Sequence, residues 1–315
     1  MRALYIGVDA GGTRTRAVVA APDLVPLGRG AAGPANAATA PFASVVEAIL
    51  EAVEDAREAA GVPAAEAHGL VAGVAGIGAA GAALRLGDAL RRRFSGPRVD
   101  VVGDADVALA GAFREGVFAP GIVIIAGTGT VALGRNAGGD TARAGGWGPL
   151  IGDEGSAYAI GRRALAAVVA DIDGRTGSTL MTGLLFDEEG SEPARELVGR
   201  LTTAGASPAD VAAYFPLALE AARRQDTVAL RLLREAGEEL GRTAASVAER
   251  LGLTKERFRV ACVGGVFSAG ELVRDALAER LLQTAPRAEI GPAAYPPELG
   301  AVRLAATVDE AERAR

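Results

Sequence analysis

The run DAGGTRT near the start of the chain has the composition of a phosphate-binding hairpin. Asp9 ends a short apolar run, and Gly11, Gly12 and Thr13 follow before the chain turns back. Glycines can take positive φ there and let backbone N–H groups approach an anion, while the threonine adds a hydroxyl donor. Asp9 is then expected to hold Mg²⁺ through water, because Mg²⁺ prefers oxygen ligands and keeps much of its hydration shell. An ordinary β-turn is the alternative interpretation.

The run IAGTGTVALG repeats this plan further along the chain. Gly127, Thr128 and Gly129 lie between two apolar runs and are candidates to grip phosphates, and Thr130 is a candidate to face the acceptor. A plain hairpin turn is again the alternative. Two such loops, each opening a lobe, favour a triphosphate bound in the cleft between the lobes.

The run VACVGGVFSAGELV is a third glycine site. A buried strand is predicted to end at Gly264 and Gly265, and a helix to begin near Ser268. A purine and its ribose can lie against such bare backbone, but close helix packing or a serine N-cap explains the same residues. Cys262, in the strand itself, is interpreted as a small core hydrophobe.

The order of the predicted elements indicates an α/β protein of two lobes. Short apolar runs alternate with amphipathic, alanine-rich stretches at residues 41–60 and 80–93, which is a βα pattern. A second part restarts at GIVIIAGTGTVALGRN and is predicted to be mostly helical from residue 154 to about 251. At 315 residues the chain exceeds the usual size of a single core. The predicted lobes are 1–117 and 118–297, the second with a helical insertion, and a C-terminal helix at about 298–315 is a candidate to pack back on the first.

Composition disfavours several other chemistries. The formal net charge is −6 and aromatic residues make up 4%, so no nucleic-acid partner is expected. A single cysteine excludes an internal disulfide or a multi-cysteine zinc site, and Lys255 as the single lysine, without a GxxxxGK[ST] run, excludes a P-loop. His68, the single histidine, is interpreted as a solvated residue at a strand entry. With no basic leader and no apolar run of about 18 residues, we expect a cytoplasmic protein with no membrane partner.

The three glycine loops, in this order, resemble those of the actin, heat-shock-protein and sugar-kinase (actin-like ATPase, or ASKHA) superfamily over nearly the whole chain. The run GGWGPLIGDEGSAYAIGRRAL is more specific, and resembles N-acetylglucosamine kinases and their relatives in the BadF/BadG/BcrA/BcrD ATPase family. The resemblance implies two actin-like, ribonuclease H-like lobes with ATP and Mg²⁺ in a cleft between them. It also implies a small-molecule amino sugar as the partner and, by analogy, a homodimer.

The same resemblance assigns the sugar contacts. Gly145, Gly146 and Trp147 are expected to approach the sugar by backbone and ring, and Asp153 to accept hydrogen bonds from its hydroxyls. Capping of the following helix by Asp153 or Glu154 is the alternative.

The run RVDVVGDADVALAGAF supplies the expected catalytic base. The resemblance assigns Asp104 to contact the sugar and to accept the proton of its hydroxyl, at C6 by the same resemblance. A helix N-cap is the alternative role for Asp104, and Asp106 is interpreted as a solvated helix residue. Asn36 falls where the family places a sugar-binding asparagine, and a turn-forming asparagine explains it equally well.

Other classes share this fold and are less well supported. An ATPase that activates a radical dehydratase carries an iron–sulfur cluster and needs two thiolates per subunit, whereas Cys262 is the only cysteine. Repressors and sugar kinases with a zinc loop need several cysteines, and a chaperone or filament module leaves GGWGPLIGDEGS unexplained. We therefore predict an ATP-dependent kinase acting on N-acetylglucosamine. The alternatives are a kinase for another hexosamine, such as glucosamine or N-acetylmuramic acid, and a BadF-type ATPase without kinase activity.

Overall fold

The computed structural model describes residues 3–63, 66–94, 96–188, 196–197, 199, 201 and 205–313. The chain divides into two compact units, one of residues 1–123 with 292–315 and one of residues 124–291. Each unit contains a five-stranded sheet. No helix in the described ranges combines the length and the apolar character needed to cross a membrane.

Strands and helices alternate along much of the chain. The strands are β1 Tyr5–Ala10, β2 Thr15–Ala20, β3 Pro26–Ala32, β4 Gly69–Val74, β5 Arg98–Gly103, β6 Gly121–Ala126, β7 Thr130–Arg135, β8 Thr141–Gly145, β9 Phe258–Val263 and β10 Ala288–Pro292. The helices are α1 Phe42–Ala60, α2 Ala82–Arg91, α3 Asp104–Ala112, α4 Ala157–Ile172, α5 Leu180–Glu188, α6 Pro208–Ala212, α7 Phe215–Arg223, α8 Thr227–Arg250, α9 Glu271–Leu282 and α10 Pro297–Arg313. A 3₁₀ turn at Gly265–Ala269 lies between β9 and α9.

The first sheet has the strand order β3-β2-β1-β4-β5. Strand β1 is antiparallel to β2, with Asp9 opposite Arg16, and parallel to β4, which is parallel to β5. The register aligns Ala10 with Val74 and Val74 with Gly103. The carboxyl ends of β1, β4 and β5 therefore meet at one edge of the sheet, the usual place for a site in an open α/β sheet.

Both faces of this sheet are covered by apolar side chains. Ile6 and Val8 of β1 belong to the core on the side of α1 and α2, whereas Tyr5 belongs to the core that includes Val107 of α3 and Val302 of α10. Because side chains alternate along a strand, Asp9 shares the face of Tyr5. Asp9 therefore lies on the α3 and α10 side of the sheet.

Helices α3 and α10 cross at two glycines. A Cβ on Gly300 would lie 2.0 Å from the carbonyl oxygen of Val107 and 2.7 Å from the nitrogen of Gly111, so only glycine fits. Arg303 donates hydrogen bonds to the carbonyl of Phe113 at 2.7 Å and to that of Ala110 at 2.8 Å, which satisfies carbonyls at the C-terminal end of α3. The two helices are thus held together at backbone contact.

The second sheet has the strand order β10-β9-β6-β7-β8. The described part of residues 154–251 is mostly helical, as predicted. Helix α4 begins after Ser156, whose side chain accepts a hydrogen bond from Ala159 N at 3.1 Å. An α/β architecture with two five-stranded sheets confirms the predicted fold class.

Candidate active site

The hairpin between β1 and β2 closes on Gly11. Its amide donates a hydrogen bond to Arg14 O at 3.0 Å, and its carbonyl accepts one from Ala35 N at 2.9 Å. Neither Gly11 nor Gly12 is among the glycines with positive φ, so the expectation of left-handed backbone here is wrong. The hairpin turns without it, and a Cβ on Gly11 would still lie only 3.3 Å from Arg14 O. Thr13 is exposed at the turn.

Asp9, next to the last residue of β1, is a mostly buried carboxylate with other acidic residues acting on it. Its side chain is 17% exposed, and Arg16 Nη1 lies 3.6 Å from Oδ2. Burial, and after it the negative charges of Glu298 and Asp104, raise the pKa of Asp9 to about 7, although the charge of Arg16 lowers it. A negative charge on Asp9 is therefore costly without a cation close to it.

Asp104 is the first residue of α3, but it does not cap the helix. Gly103 is the N-cap, and its amide donates to Asp106 Oδ2 at 3.0 Å. Asp104 Oδ1 accepts a hydrogen bond from the adjacent Ala105 N at 2.9 Å. N-capping by Asp104 is therefore the wrong alternative. Asp106 is exposed as predicted, but it also satisfies the amide of Gly103, a role that sequence reasoning did not assign to it.

Asn36 forms a turn at the same edge of the first sheet. Its Oδ1 accepts a hydrogen bond from Ala38 N at 2.9 Å, and Ala37 N donates to Ala75 O at 2.8 Å, just beyond β4. Gly76 has φ +73°, and a Cβ there would lie 2.3 Å from Asn36 Oδ1. The turn uses the side-chain oxygen of Asn36, and its amide nitrogen has no hydrogen-bond partner in the described part of the chain.

The loop between β6 and β7 lies against the start of α4 in the second unit. Gly127 N donates to Gly129 O at 3.0 Å, and Ala157 N donates to Gly127 O at 2.8 Å. The carbonyl of Thr128 accepts a longer bond from Tyr158 N at 3.4 Å. A Cβ on Gly127 would meet only open space, but its own amide and carbonyl are already hydrogen-bonded to Gly129 and Ala157.

Asp153 lies beside this loop, buried and in a left-handed conformation. It is 7% exposed with φ +63°, and its Oδ1 accepts a hydrogen bond from Thr130 N at 3.1 Å. Burial raises the pKa of Asp153, the hydrogen bond from Thr130 lowers it, and the charge of Glu154 raises it. Ser156 caps α4, so the capping alternative for Asp153 and Glu154 is wrong. The Asp153 carboxylate is left with capacity to accept hydrogen bonds.

Thr130 and the glycines after β8 surround the same carboxylate. Thr130 is 4% exposed, and its hydroxyl has no hydrogen-bond partner among the described residues. Gly146 N donates to Thr130 O at 2.7 Å, and a Cβ on Gly145 would lie 2.9 Å from that oxygen. Trp147 is 77% exposed. Because an unpaired buried hydroxyl is unfavourable, Thr130 is poised for a polar ligand.

The third glycine pair adjoins the end of β9. Gly264 has φ +113°, and a Cβ there would lie 2.3 Å from Ala126 O, so close backbone packing accounts for this glycine. A Cβ on Gly265 would meet nothing within 4 Å. Ser268 is exposed within the 3₁₀ turn. The N-cap of α9 is Gly270, so the serine N-cap alternative is wrong.

A profile of the BadF/BadG/BcrA/BcrD ATPase family matches residues 6–305. The chain belongs to this family. The resemblance inferred from the glycine loops and the GGWGPLIGDEGS run is therefore confirmed.

Two curated proteins are similar to this chain over much of its length. The N-acetylmuramic acid/N-acetylglucosamine kinase of Clostridium acetobutylicum is 29% identical over 285 residues, which are 90% of this chain and 92% of the relative. The N-acetyl-D-glucosamine kinase of Dictyostelium discoideum is 34% identical over 204 residues, 64% of this chain and 63% of the relative.

Solved structures show the same fold. A protein from Chromobacterium violaceum, named as a candidate N-acetylglucosamine kinase, superposes with a TM-score of 0.75 at 30% identity, over 97% of this chain and 99% of its own. A ROK family glucokinase from Streptomyces griseus, in complex with glucose and AMPPNP, superposes with a TM-score of 0.68 at 24% identity, over 96% of this chain and 98% of its own. The predicted actin-like sugar-kinase fold is confirmed by these similarities.

The residues of the first unit fit a hydrated divalent cation better than an enclosed one. Asp9 and Asp104 offer carboxylate oxygens, the donors that Mg²⁺ prefers. Among the described residues no group of three or more histidine, cysteine or acidic side chains is arranged to hold a metal ion directly. This donor set suits an ion held by one carboxylate through water and by the phosphates of a nucleotide.

Sequence reasoning missed two charged residues in this region, Glu298 and Arg16. Both contribute to the electrostatics at Asp9. Arg16 could have been found from the antiparallel register of a tight hairpin, which places it opposite Asp9. Glu298 follows two prolines at the start of the last helix, and only the fold brings it to the same side of the sheet.

The raised pKa of Asp9 gives a testable dependence of stability on pH. With neither metal nor nucleotide present, Asp9→Asn is expected to raise the free energy of unfolding at pH 8. Asp9 has a pKa of about 7 in the folded protein and an ordinary value of about 4 when unfolded, so the wild type loses stability as pH rises from about 4 to about 7 and the variant does not. We expect a gain on the order of 4 kcal/mol at pH 8 that falls to roughly 2 kcal/mol at pH 5, measured by urea unfolding.

Asp55→Asn is the matched control for this experiment. Asp55 is exposed on α1, so the same substitution there should leave stability nearly equal to wild type at both pH values. An Asp9→Asn protein that is less stable than wild type at pH 8 would show that the Asp9 charge is already well compensated.

Proposed function

We propose that this family member is an ATP-dependent kinase that phosphorylates an amino sugar, with N-acetylglucosamine as the substrate and its 6-hydroxyl as the acceptor. The two curated relatives are named as kinases for N-acetylglucosamine, one of them also for N-acetylmuramic acid. The ROK glucokinase with the same fold holds glucose and AMPPNP. These names support the class of reaction and the class of substrate.

One observation carries the proposal, namely the buried pair of Asp153 and Thr130. Asp153 is released from helix capping by Ser156, and the Thr130 hydroxyl beside it has no partner in the described part of the chain. A carboxylate acceptor and a hydroxyl donor at neighbouring buried positions match the alternating donors and acceptors of sugar hydroxyls. Asn36, through its amide nitrogen, and the backbone of Gly145 and Gly146 are further proposed sugar contacts, with Trp147 offering its ring.

The proposed chemistry assigns separate tasks to the two units. In the first unit, Asp104 accepts the proton of the sugar hydroxyl while the hydroxyl oxygen attacks the γ-phosphorus of ATP. The bond between the γ-phosphorus and the β-γ bridging oxygen breaks, and ADP is released. Hydroxyls and the remaining amides of the loops at 11–13 and 127–129 donate to the phosphates, since the amides of Gly11 and Gly127 already donate within their own hairpins. Gly264, Gly265 and Ser268 are proposed at the nucleoside. A Mg²⁺ ion bound near Asp9 would neutralise charge on the transferred phosphoryl group.

An ADP-release assay on the purified protein tests the proposal. The acceptors are N-acetylglucosamine, glucosamine, N-acetylmannosamine, N-acetylmuramic acid and glucose, each with ATP and Mg²⁺. We expect N-acetylglucosamine to give the highest kcat/KM, well above the sugar-free rate of ATP hydrolysis. If no sugar raises ADP release above that rate, the kinase proposal is wrong.

The alternative within the family is an ATPase without sugar kinase activity, of the kind that serves an iron–sulfur cluster. The single cysteine, Cys262, is buried in β9, and burial raises the pKa of its thiol to about 12. A thiol held protonated in the core is a poor cluster ligand, since thiolate is the form that binds metal. The same assay separates the two, because this ATPase would release ADP at a rate that no sugar changes.

A homodimer and a cytoplasmic location complete the proposal. The dimer rests on analogy with related kinases, and light scattering on the eluted protein tests it. The location rests on the use of ATP as the phosphoryl donor, and fractionation of cells that express the full chain tests it.

A further inference from the structure

Glu298 is a buried carboxylate with one satisfied oxygen. It is 3% exposed, and its Oε1 accepts a hydrogen bond from Arg29 Nη1 of β3 at 2.8 Å. Its second oxygen, Oε2, is buried with no hydrogen-bond partner among the described residues. A buried, unpaired carboxylate oxygen is unfavourable by several times the net value of an ordinary hydrogen bond, so its retention calls for a reason.

The backbone fixes Glu298 on the side of the sheet that Asp9 occupies. A Cβ on Gly7 would lie 2.0 Å from the Glu298 carbonyl oxygen, so α10 begins in direct contact with β1. Gly7 and Asp9 are two residues apart on one strand and share a face. Glu298 is therefore close to the residue proposed to hold the cation.

Structural roles account for only part of this arrangement. The ion pair with Arg29 ties α10 to β3, and an acid in the first turn of a helix is favoured by the helix dipole. Both explain Oε1 and the negative charge. Neither explains why Oε2 is left unpaired, or why a second acid begins a helix in contact with the strand that carries Asp9.

A hydrated cation explains both features together. Carboxylates that repel each other in the free protein are attracted to the same divalent ion, and Mg²⁺ commonly reaches protein oxygens through its own water molecules. A buried oxygen that accepts a hydrogen bond from such a water orients the ion, as outer-shell groups do at other metal sites.

We propose that Oε2 of Glu298 accepts a hydrogen bond from the hydration shell of the divalent cation held at Asp9, so that Glu298 is a positioning residue for that cation. The inference rests on the proposed function for the presence of the cation. Asp9 and Glu298 then form the protein's part of the site, and Arg29 is bonded to the other oxygen of Glu298.

Direct Mn²⁺ binding tests the inference apart from catalysis. The full-length protein is mixed with ADP and Mn²⁺, without sugar, and free Mn²⁺ is read by electron paramagnetic resonance. Glu298→Gln keeps the side chain's shape and an oxygen for Arg29 but removes the charge, and should weaken Mn²⁺ binding by about 10-fold. Asp9→Asn should weaken it at least as much.

Arg29→Gln is the matched variant that separates a cation role from a structural one. This substitution breaks the same ion pair by changing the arginine, whose side chain is half-exposed, and it leaves the Glu298 carboxylate intact. Removal of this positive charge should tighten Mn²⁺ binding by about twofold. If Arg29→Gln weakens Mn²⁺ binding as Glu298→Gln does, or if Glu298→Gln leaves binding unchanged, the inference is wrong.

Should Glu298→Gln fail to fold by circular dichroism, Arg29→Gln alone decides, and unchanged or weaker Mn²⁺ binding overturns the inference. Should the wild type bind Mn²⁺ with ADP and show these variant effects but transfer no phosphate to any sugar, the proposed function fails and the cation role of Glu298 stands.

Discussion

Asp104→Asn is expected to lower kcat for phosphoryl transfer by about 10²- to 10⁴-fold, the usual contribution of a general base. The carboxylate at the start of α3 is not the helix cap, because the N-cap is Gly103 and Asp106 satisfies the Gly103 amide. The substitution therefore removes the proton acceptor while leaving the helix start intact. The KM for ATP should change little. Stopped-flow or coupled ADP-release kinetics with saturating sugar measure the effect.

Asp106→Asn is the control for this prediction. It lies in the same helical turn, is exposed, and as asparagine still offers an oxygen to the Gly103 amide. We expect kcat within a few-fold of wild type. Near-normal turnover in Asp104→Asn would place the base elsewhere, and equal losses in both variants would indicate damage to the start of α3.

Asp153→Asn is expected to raise the KM for the sugar by about 10- to 100-fold, because hydrogen bonds to a charged acceptor are worth about 1.5–3 kcal/mol. Asparagine tolerates the left-handed backbone at this position and can still accept the hydrogen bond from Thr130 N. The substitution therefore removes only the negative charge of the group proposed to accept hydrogen bonds from the sugar hydroxyls. Initial rates over a range of N-acetylglucosamine, at saturating ATP, measure it.

Glu154→Gln serves as the neighbouring control. Glu154 is exposed and should leave the sugar KM within about twofold of wild type. An unchanged sugar KM in Asp153→Asn, with the ATP KM raised instead, would assign Asp153 to the nucleotide.

The local sequence pattern was sufficient to predict the strands and helices, but it was not sufficient to predict the roles of individual side chains within them. Apolar runs closed by glycine predict β1, β2 and their hairpin, because strand periodicity and turn chemistry are properties of adjacent residues. Helix caps were harder to predict. Asp153, Ser156 and Glu154 all suit the start of α4, and only the backbone geometry selects Ser156 as the cap.

Contacts between distant parts of the chain lay beyond sequence reasoning. Arg29 and Glu298 are 269 positions apart, and no periodicity connects them. The burial of Glu298 follows from the packing of α10 on β1, where Gly7 admits its backbone. A glycine in a strand signals that another backbone comes close, but not which one.

The glycine crossing of α3 and α10 bears on how this site can be altered. Asp104 begins one of these helices, and Glu298 lies in the first turn of the other. The two helices cannot separate or slide without losing the backbone contact at Gly300, so the two acids are held in a fixed position relative to each other. Libraries aimed at catalytic rate should therefore include the residues that face this crossing, because a small change there would re-aim both carboxylates at once.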